Sequence, residues 1–229
     1  MPLKNNFNLT KLTTEEIQKK LETASEIIGK SKYINCAVLI PLIEIDDDYH
    51  LLFQKRASGI RQGGEISFPG GEFNSATDIT LEDTAIRETC EELGLTSSQF
   101  TIIGKLGSLV VPMGLSIDAF AGLISYDNYK NMIIDKSEVE SVFTIPLRYF
   151  MNTEPEIFYS RLEIHTTGTD ETGNSIELLP VKKLNLPEIY ASPWRNGKYR
   201  VIVYNTGRDV LWGLTAEIVY EFCNLMKQN

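Results

Sequence analysis

The spacing of apolar residues changes period several times along the chain. Over residues 13–28 they recur at Ile17, Leu21, Ala24, Ile27 and Ile28, with Glu15, Lys19 and Glu22 on the other side. Thr13 and Glu16 have capping-box spacing, so this stretch predicts an amphipathic helix. From Asn35 to Ile45 the apolar character is nearly continuous (Ala37-Val38-Leu39-Ile40), the pattern of a buried strand. Asp46-Asp47-Asp48 marks a turn and Tyr49–Lys55 a return strand. Ile66–Phe68 reads as a short strand before a double glycine. The 3.6-residue period returns over Leu81–Leu93, a second predicted helix, followed by strands near Phe100–Leu109 and Ile117–Ile124. Residues 137–151 predict a turn, a strand and a short helix. Residues 152–200 carry Pro155, Pro180, Pro187 and Pro193 and read as strands joined by long loops, with a clear strand at Lys198–Tyr204. Ala216, Val219, Tyr220, Cys223 and Met226 predict a terminal helix with Thr215 as its cap. No repeat, linker or low-complexity stretch interrupts the chain. The expectation is one domain over 1–229 with an N-terminal helical extension over about 1–30.

Composition narrows the function classes. The 229 residues are 42% hydrophobic and 23% charged, ordinary for a globular chain with a substantial core. A net charge of -9 argues against a general nucleic-acid binder, which would carry a basic patch. Phosphorylated small molecules remain open, because a bound cation or a few arginines can offset the field locally. Cys36, Cys90 and Cys223 are far apart and form no C-x-x-C pair, which predicts reduced thiols in a cytoplasmic protein. No apolar run reaches the eighteen residues of a membrane helix, so no membrane partner is expected.

The chemistry concentrates in Phe68-Pro69-Gly70-Gly71 and the run Arg87-Glu88-Thr89-Cys90-Glu91-Glu92-Leu93-Gly94-Leu95. At about 100° per residue, Glu88, Glu91 and Glu92 share one sector of the helix. Ile86, Thr89, Cys90 and Leu93 fall on the opposite, packing sector. The three carboxylates are then expected to point together, away from the apolar face. Like charges so close repel, and hard divalent cations with oxygen ligands would relieve that repulsion. Arg87 can reach Glu91 at i+4, Gly94 suits a left-handed helix end, and Gly70-Gly71 permits close backbone approach. Alone, Glu-x-x-Glu-Glu reads as a solvated acidic face; the flanking glycine motifs shift the balance toward a site.

These residues resemble the Nudix hydrolase signature, G-x5-E-x7-R-E-U-x-E-E-x-G-U with U aliphatic. Arg87-Glu88, Glu91-Glu92, Gly94 and Leu95 match it. Leu51–Ala57, Arg61, Gly64 and Phe68–Gly71 resemble the additional motif of the coenzyme A diphosphatase subgroup. Glu138-Val139 with Phe143 and Ile145-Pro146-Leu147, and Trp212–Ala216, resemble that subgroup as well. Gly71 to Arg87 is two residues longer than the strict box, and the Glu expected eight residues before Arg87 is Ile79, for which Asp78 or Glu82 can stand in.

The resemblance implies an α/β fold, an α/β/α sandwich around a mixed sheet. It implies Mg²⁺ or Mn²⁺ held by Glu88, Glu91 and Glu92 with the Gly71 carbonyl, and a catalytic set of Glu88, Glu91 and Arg87. Arg56, Arg61, Gly70 and Gly71 are the substrate-binding candidates. Glu65 and Glu138 are further acids near the box, weighed against surface roles. Met113 with Val110-Val111-Pro112 reads as loop packing, Trp212-Gly213-Leu214 as core and turn, and His50 and His165 as structural. The implied reaction opens the diphosphate of coenzyme A or acyl-CoA to 3′,5′-ADP and 4′-phosphopantetheine. ADP-ribose, NADH or another nucleoside diphosphate derivative remains an alternative, as does a nucleotide-sensing module without turnover. The resemblance is compatible with a homodimer.

Overall fold

The computed structural model describes residues 13–15, 18, 19 and 27–228. Thr14, Glu15, Gln18 and Lys19 are helical; the remainder of the helix predicted over 13–28, with its Thr13–Glu16 cap, lies largely outside the described residues. The core begins at β1 (Ile34–Ile45) and β2 (Asp48–Arg56). Asp46 and Asp47 take φ of 51° and 60° between them, the left-handed pair of a tight hairpin turn. β3 (Ile66–Ser67) and β4 (Gly70–Glu72) flank the Phe-Pro step, and helix α1 (Leu81–Leu93) follows within the predicted limits. β5 (Phe100–Val111), β6 (Leu115–Ile124), a short helix α2 (Tyr126–Lys130), β7 (Val139–Pro146) and α3 (Leu147–Asn152) complete the first part.

Seven strands form one mixed sheet in the order β3-β2-β1-β6-β5, with β4 also on β1 and β7 on β2. β1 and β6 run parallel over nine paired residues, from Ile34↔Leu115 to Leu42↔Leu123; the other pairs are antiparallel. Side chains alternate along β1, which explains its continuous apolar run: both faces are covered. Ala37, Leu39 and Ile43 pack with Ala85 and Leu93 of α1. Ile40 and Leu42 face a second core that includes Phe53, Phe68, Phe143 and Phe150, and Ala216, Val219 and Phe222 of α4 (Gly213–Met226). Helices on both faces of a mixed sheet make this the expected α/β/α sandwich.

Residues 152–200 are indeed strands and loops. β8 (Glu156–Ile164), β9 (Thr167–Thr169), β10 (Ser175–Glu177), β11 (Trp194–Asn205) and β12 (Val210–Trp212) form a small hairpin β9–β10 and a three-stranded sheet β12-β11-β8.

The end of the chain departs from the sequence reading. Thr215 does not cap α4: the helix starts at Gly213 after Trp212, and the Thr215 hydroxyl donates instead to the Ile66 carbonyl at 3.2 Å. Trp212 is half exposed rather than core, because β12 alternates and turns Leu211 inward while Val210 and Trp212 face out. Val110 and Val111 end β5, with Val110 exposed and Val111 buried, and Pro112 and Met113 on the β5–β6 turn are exposed.

Candidate active site

Two anchors hold the glycine step. Phe68 is buried and stacks on Phe53 at 5.0 Å between ring centres, and the Pro69 carbonyl accepts the Leu39 N–H at 2.9 Å. Gly70 then passes so close to β1 that a Cβ would lie 2.3 Å from the Ala37 carbonyl oxygen, at φ 156°. A Cβ on Gly71 would lie 2.4 Å from Cδ and Oε1 of Glu88. The missing side chains therefore let a backbone edge and a carboxylate meet.

Helix α1 is fixed at both ends. Thr80 and Asp83 form a reciprocal capping box. At the other end Gly94 adopts φ 64°, where a side chain would collide with the Ile133 carbonyl. The Asp135 N–H donates to the Glu92 carbonyl at 3.0 Å, and the segment it begins brings Glu138 close enough to act on Glu88.

The carboxylates do not all point away from the packing face as the helical projection suggested. α1 is rolled so that its buried side runs through Thr84, Ala85, Thr89, Glu92 and Leu93. Glu92 is only 2% exposed, the Glu88 side chain is half-buried, and the Glu91 side chain is 60% exposed. Glu92 is accommodated because the Gly70 N–H donates to its Oε2 at 2.9 Å, while Arg56 Nη1 stands 4.0 Å from Oε1. Burial pushes the Glu92 carboxyl up to about 7, against the opposing pull of the Gly70 N–H and of Gln54. Burial likewise raises Glu88; Arg87 opposes this, and Glu91 and Glu138 add to it.

Arg87 is the hub. Its Nε and Nη2 form a two-pronged pair with the buried Asp78, at 2.8 and 2.9 Å. Nη1 donates to Glu88 Oε1 at 2.7 Å and to Glu91 Oε2 at 3.1 Å, and Nη2 also donates to the Glu72 carbonyl. Asp78 accepts in addition from the Asn74 N–H and the hydroxyls of Thr77 and Thr84. Of the two stand-ins for the displaced acid, Asp78 is the one on the arginine; Glu82 is exposed, as is Ile79. The Arg87 guanidinium holds the Asp78 carboxyl well below the ordinary carboxylate range.

Arg56 Nε donates to the Arg61 carbonyl at 3.3 Å, while Arg61 itself is exposed. Glu65 is half-buried, and its carbonyl accepts the Arg56 N–H. Glu138 is exposed. His165 is close to Glu163, and neither histidine joins the carboxylate group. The three cysteines are free. The residue the sequence reading passed over is Gln54, wholly buried beside Glu92; a lone amide ending the run Leu51-Leu52-Phe53 is the signal that marks it.

Among the described residues no three His, Cys, Asp or Glu side chains already stand together as a metal cage. Arg87 draws Glu88 and Glu91 toward itself, and Glu92 lies deeper. The donor set nevertheless fits a hard divalent cation. Its donors are carboxylate oxygens, burial raises both Glu88 and Glu92 with neighbouring carboxylates adding to it, and Gly71 leaves the space before Glu88 free of a side chain.

The comparisons agree with this arrangement. The NUDIX domain family matches residues 36–162. Nudix hydrolase 3 of Caenorhabditis elegans is 35% identical over 114 residues, covering 48% of this chain and 47% of that protein. Peroxisomal coenzyme A diphosphatase NUDT7 of Mus musculus is 32% identical over 136 residues, covering 58% of this chain and 55% of that protein. Nudix hydrolase 15, mitochondrial, of Arabidopsis thaliana is 32% identical over 230 residues, covering 90% of this chain and 69% of that protein. The chain thus spans about half the length of the first two relatives. A mixed sheet between helices, with the glycine step set against a carboxylate helix, belongs to one family here: the chain is a member of the Nudix family.

Proposed function

We propose that the chain is a divalent-cation-dependent hydrolase that cleaves the diphosphate of coenzyme A or acyl-CoA to 3′,5′-ADP and 4′-phosphopantetheine or its acyl derivative. The observation that carries the hydrolytic reading is Glu88 and Glu92 set against the Gly70–Gly71 step, with Glu91 tied to Glu88 through Arg87. The coenzyme A assignment rests on the resemblance of Leu51–Gly71 to that subgroup and on the similarity to the mouse protein of that name.

Glu88, Glu91 and Glu92, with the Gly71 carbonyl, would hold the cations. Bound Mg²⁺ or Mn²⁺ supplies a water acidified toward neutral pH and neutralises charge on the departing phosphate. Arg87 fixes the Glu88 and Glu91 carboxylates while Asp78 fixes Arg87. Glu88 or Glu91 orients the water or takes its proton as the new P–O bond forms and the bridging P–O bond breaks. Arg56 and Arg61 bind the phosphates through their guanidinium forks. Cytoplasmic placement is the reading from the thiols; no described helix is long and apolar enough to cross a membrane.

The test is to incubate the purified protein separately with coenzyme A, ADP-ribose and NADH, each with Mg²⁺ or Mn²⁺, and to resolve the products by chromatography. Release of 3′,5′-ADP from coenzyme A well above turnover of the other two supports the assignment. Turnover of only the others keeps the chemistry and overturns the substrate.

A further inference from the structure

Leu51, Leu52, Phe53 and Gln54 of β2 are all wholly buried, and only Gln54 is polar. Neither its Nε2 nor its Oε1 has a hydrogen-bond partner among the described residues. Across the ladder its register partner in β3 is Ser67, whose buried Oγ also lacks a partner. Paired residues of neighbouring strands point to the same face. Two unmade polar side chains therefore share one patch of the sheet, where a leucine and an alanine would avoid the cost of an unsatisfied buried group.

What distinguishes the patch is its neighbour. Gln54 lies close enough to Glu92 to favour its charged form, although the approach falls short of a hydrogen bond of normal geometry. The contact is electrostatic, and the amide keeps its hydrogen-bonding capacity unused. Arg56, two residues along the same strand face, approaches the same carboxylate at 4.0 Å. Of the two Glu92 oxygens, Oε2 is gripped by the Gly70 N–H, and Oε1 has only that distant guanidinium.

We propose that Gln54, backed by Ser67, is a positioning residue for Glu92. A side-chain rotation would let the Ser67 hydroxyl, unpaired as it stands, donate to Gln54 Oε1 and set the amide so that Nε2–H donates to Glu92 Oε1. The carboxylate is then held at both oxygens and presented to a cation in one orientation. Outer partners of metal-bound carboxylates act this way, and their loss typically costs 10–100-fold in affinity or activity. This inference rests on the reading of Glu92 as a cation ligand.

The experiment is a double-mutant cycle of Gln54→Leu and Glu92→Gln with two readouts. In metal-free protein, urea unfolding should show non-additivity of about fivefold or more in the unfolding equilibrium constant. Additive effects overturn the contact. In Mn²⁺ titrations followed by electron paramagnetic resonance, Gln54→Leu should weaken binding about tenfold, and the loss should vanish in the Glu92→Gln background. Unchanged affinity in Gln54→Leu, or the same loss in both backgrounds, overturns the positioning role. If Glu92→Gln alone leaves Mn²⁺ affinity intact, the ligand reading of Glu92 fails, and the positioning role toward a cation falls with it; the unfolding cycle still decides the contact. Ser67→Ala, which leaves β2 untouched, gives the same comparison should Gln54→Leu not fold, with an expected loss that again vanishes in the Glu92→Gln background.

Discussion

Two adjacent glycines separate stability from chemistry at the scale of single residues. A methyl on Gly70 would strike the β1 backbone, at Ala37 O and Val38 Cα, and the strand cannot retreat without breaking its ladder. A methyl on Gly71 would meet only the end of the flexible Glu88 side chain. Gly70→Ala is therefore expected to cost about 2 kcal/mol or more of stability, read by urea unfolding. Gly71→Ala should unfold close to wild type yet lose about 100-fold in kcat, because Glu88 is pushed from its place. Equal stability losses in the two variants would contradict this division. Asp78 gives a pH prediction. Its folded-state pKa is depressed, so its contribution to stability is present above the unfolded carboxylate value near 4 and is lost as pH falls below it. Asp78→Asn should lower stability at pH 7 and flatten the decline between about pH 4 and 2, measured by thermal unfolding in metal-free buffer.

At the scale of elements, α1 acts as a rod that carries carboxylates at set heights. Its limits were legible in the sequence because period, glycine end and flanking turns agree on Leu81–Leu93. Its roll was not. Period alone puts Glu92 with Glu88 and Glu91, but the Gly70 N–H and the Gln54–Arg56 neighbourhood come from strands far away in the chain. They let a carboxylate occupy the packing face, which no local rule predicts. The Thr80–Asp83 capping box departs from the usual Ser/Thr-x-x-Glu/Gln pattern, because Asp serves here at N3. Thr80→Ala should cost about 1 kcal/mol without changing the substrate preference. A loss of stability within a few tenths of a kcal/mol would show that packing alone fixes the helix start.

At the scale of the whole molecule, the sheet places chemistry at the edge of α1 and stability on both faces. The burial of β1 was readable from its continuous apolar run; the two cores that cover its faces were not. The hairpin β9–β10 and the short helix α2 were not, because each is too short for a period to register. The proposed metal dependence would join the scales: residue charges on one rod, held by strands, would act once a cation offsets them. The most direct test measures release of 3′,5′-ADP from coenzyme A with Mg²⁺, with excess EDTA, and with Mg²⁺ in Glu92→Gln. The account predicts turnover in the first, none in the second, and a fall of about 100-fold or more in the third. Turnover that persists in EDTA, or in Glu92→Gln at the wild-type rate, would contradict it.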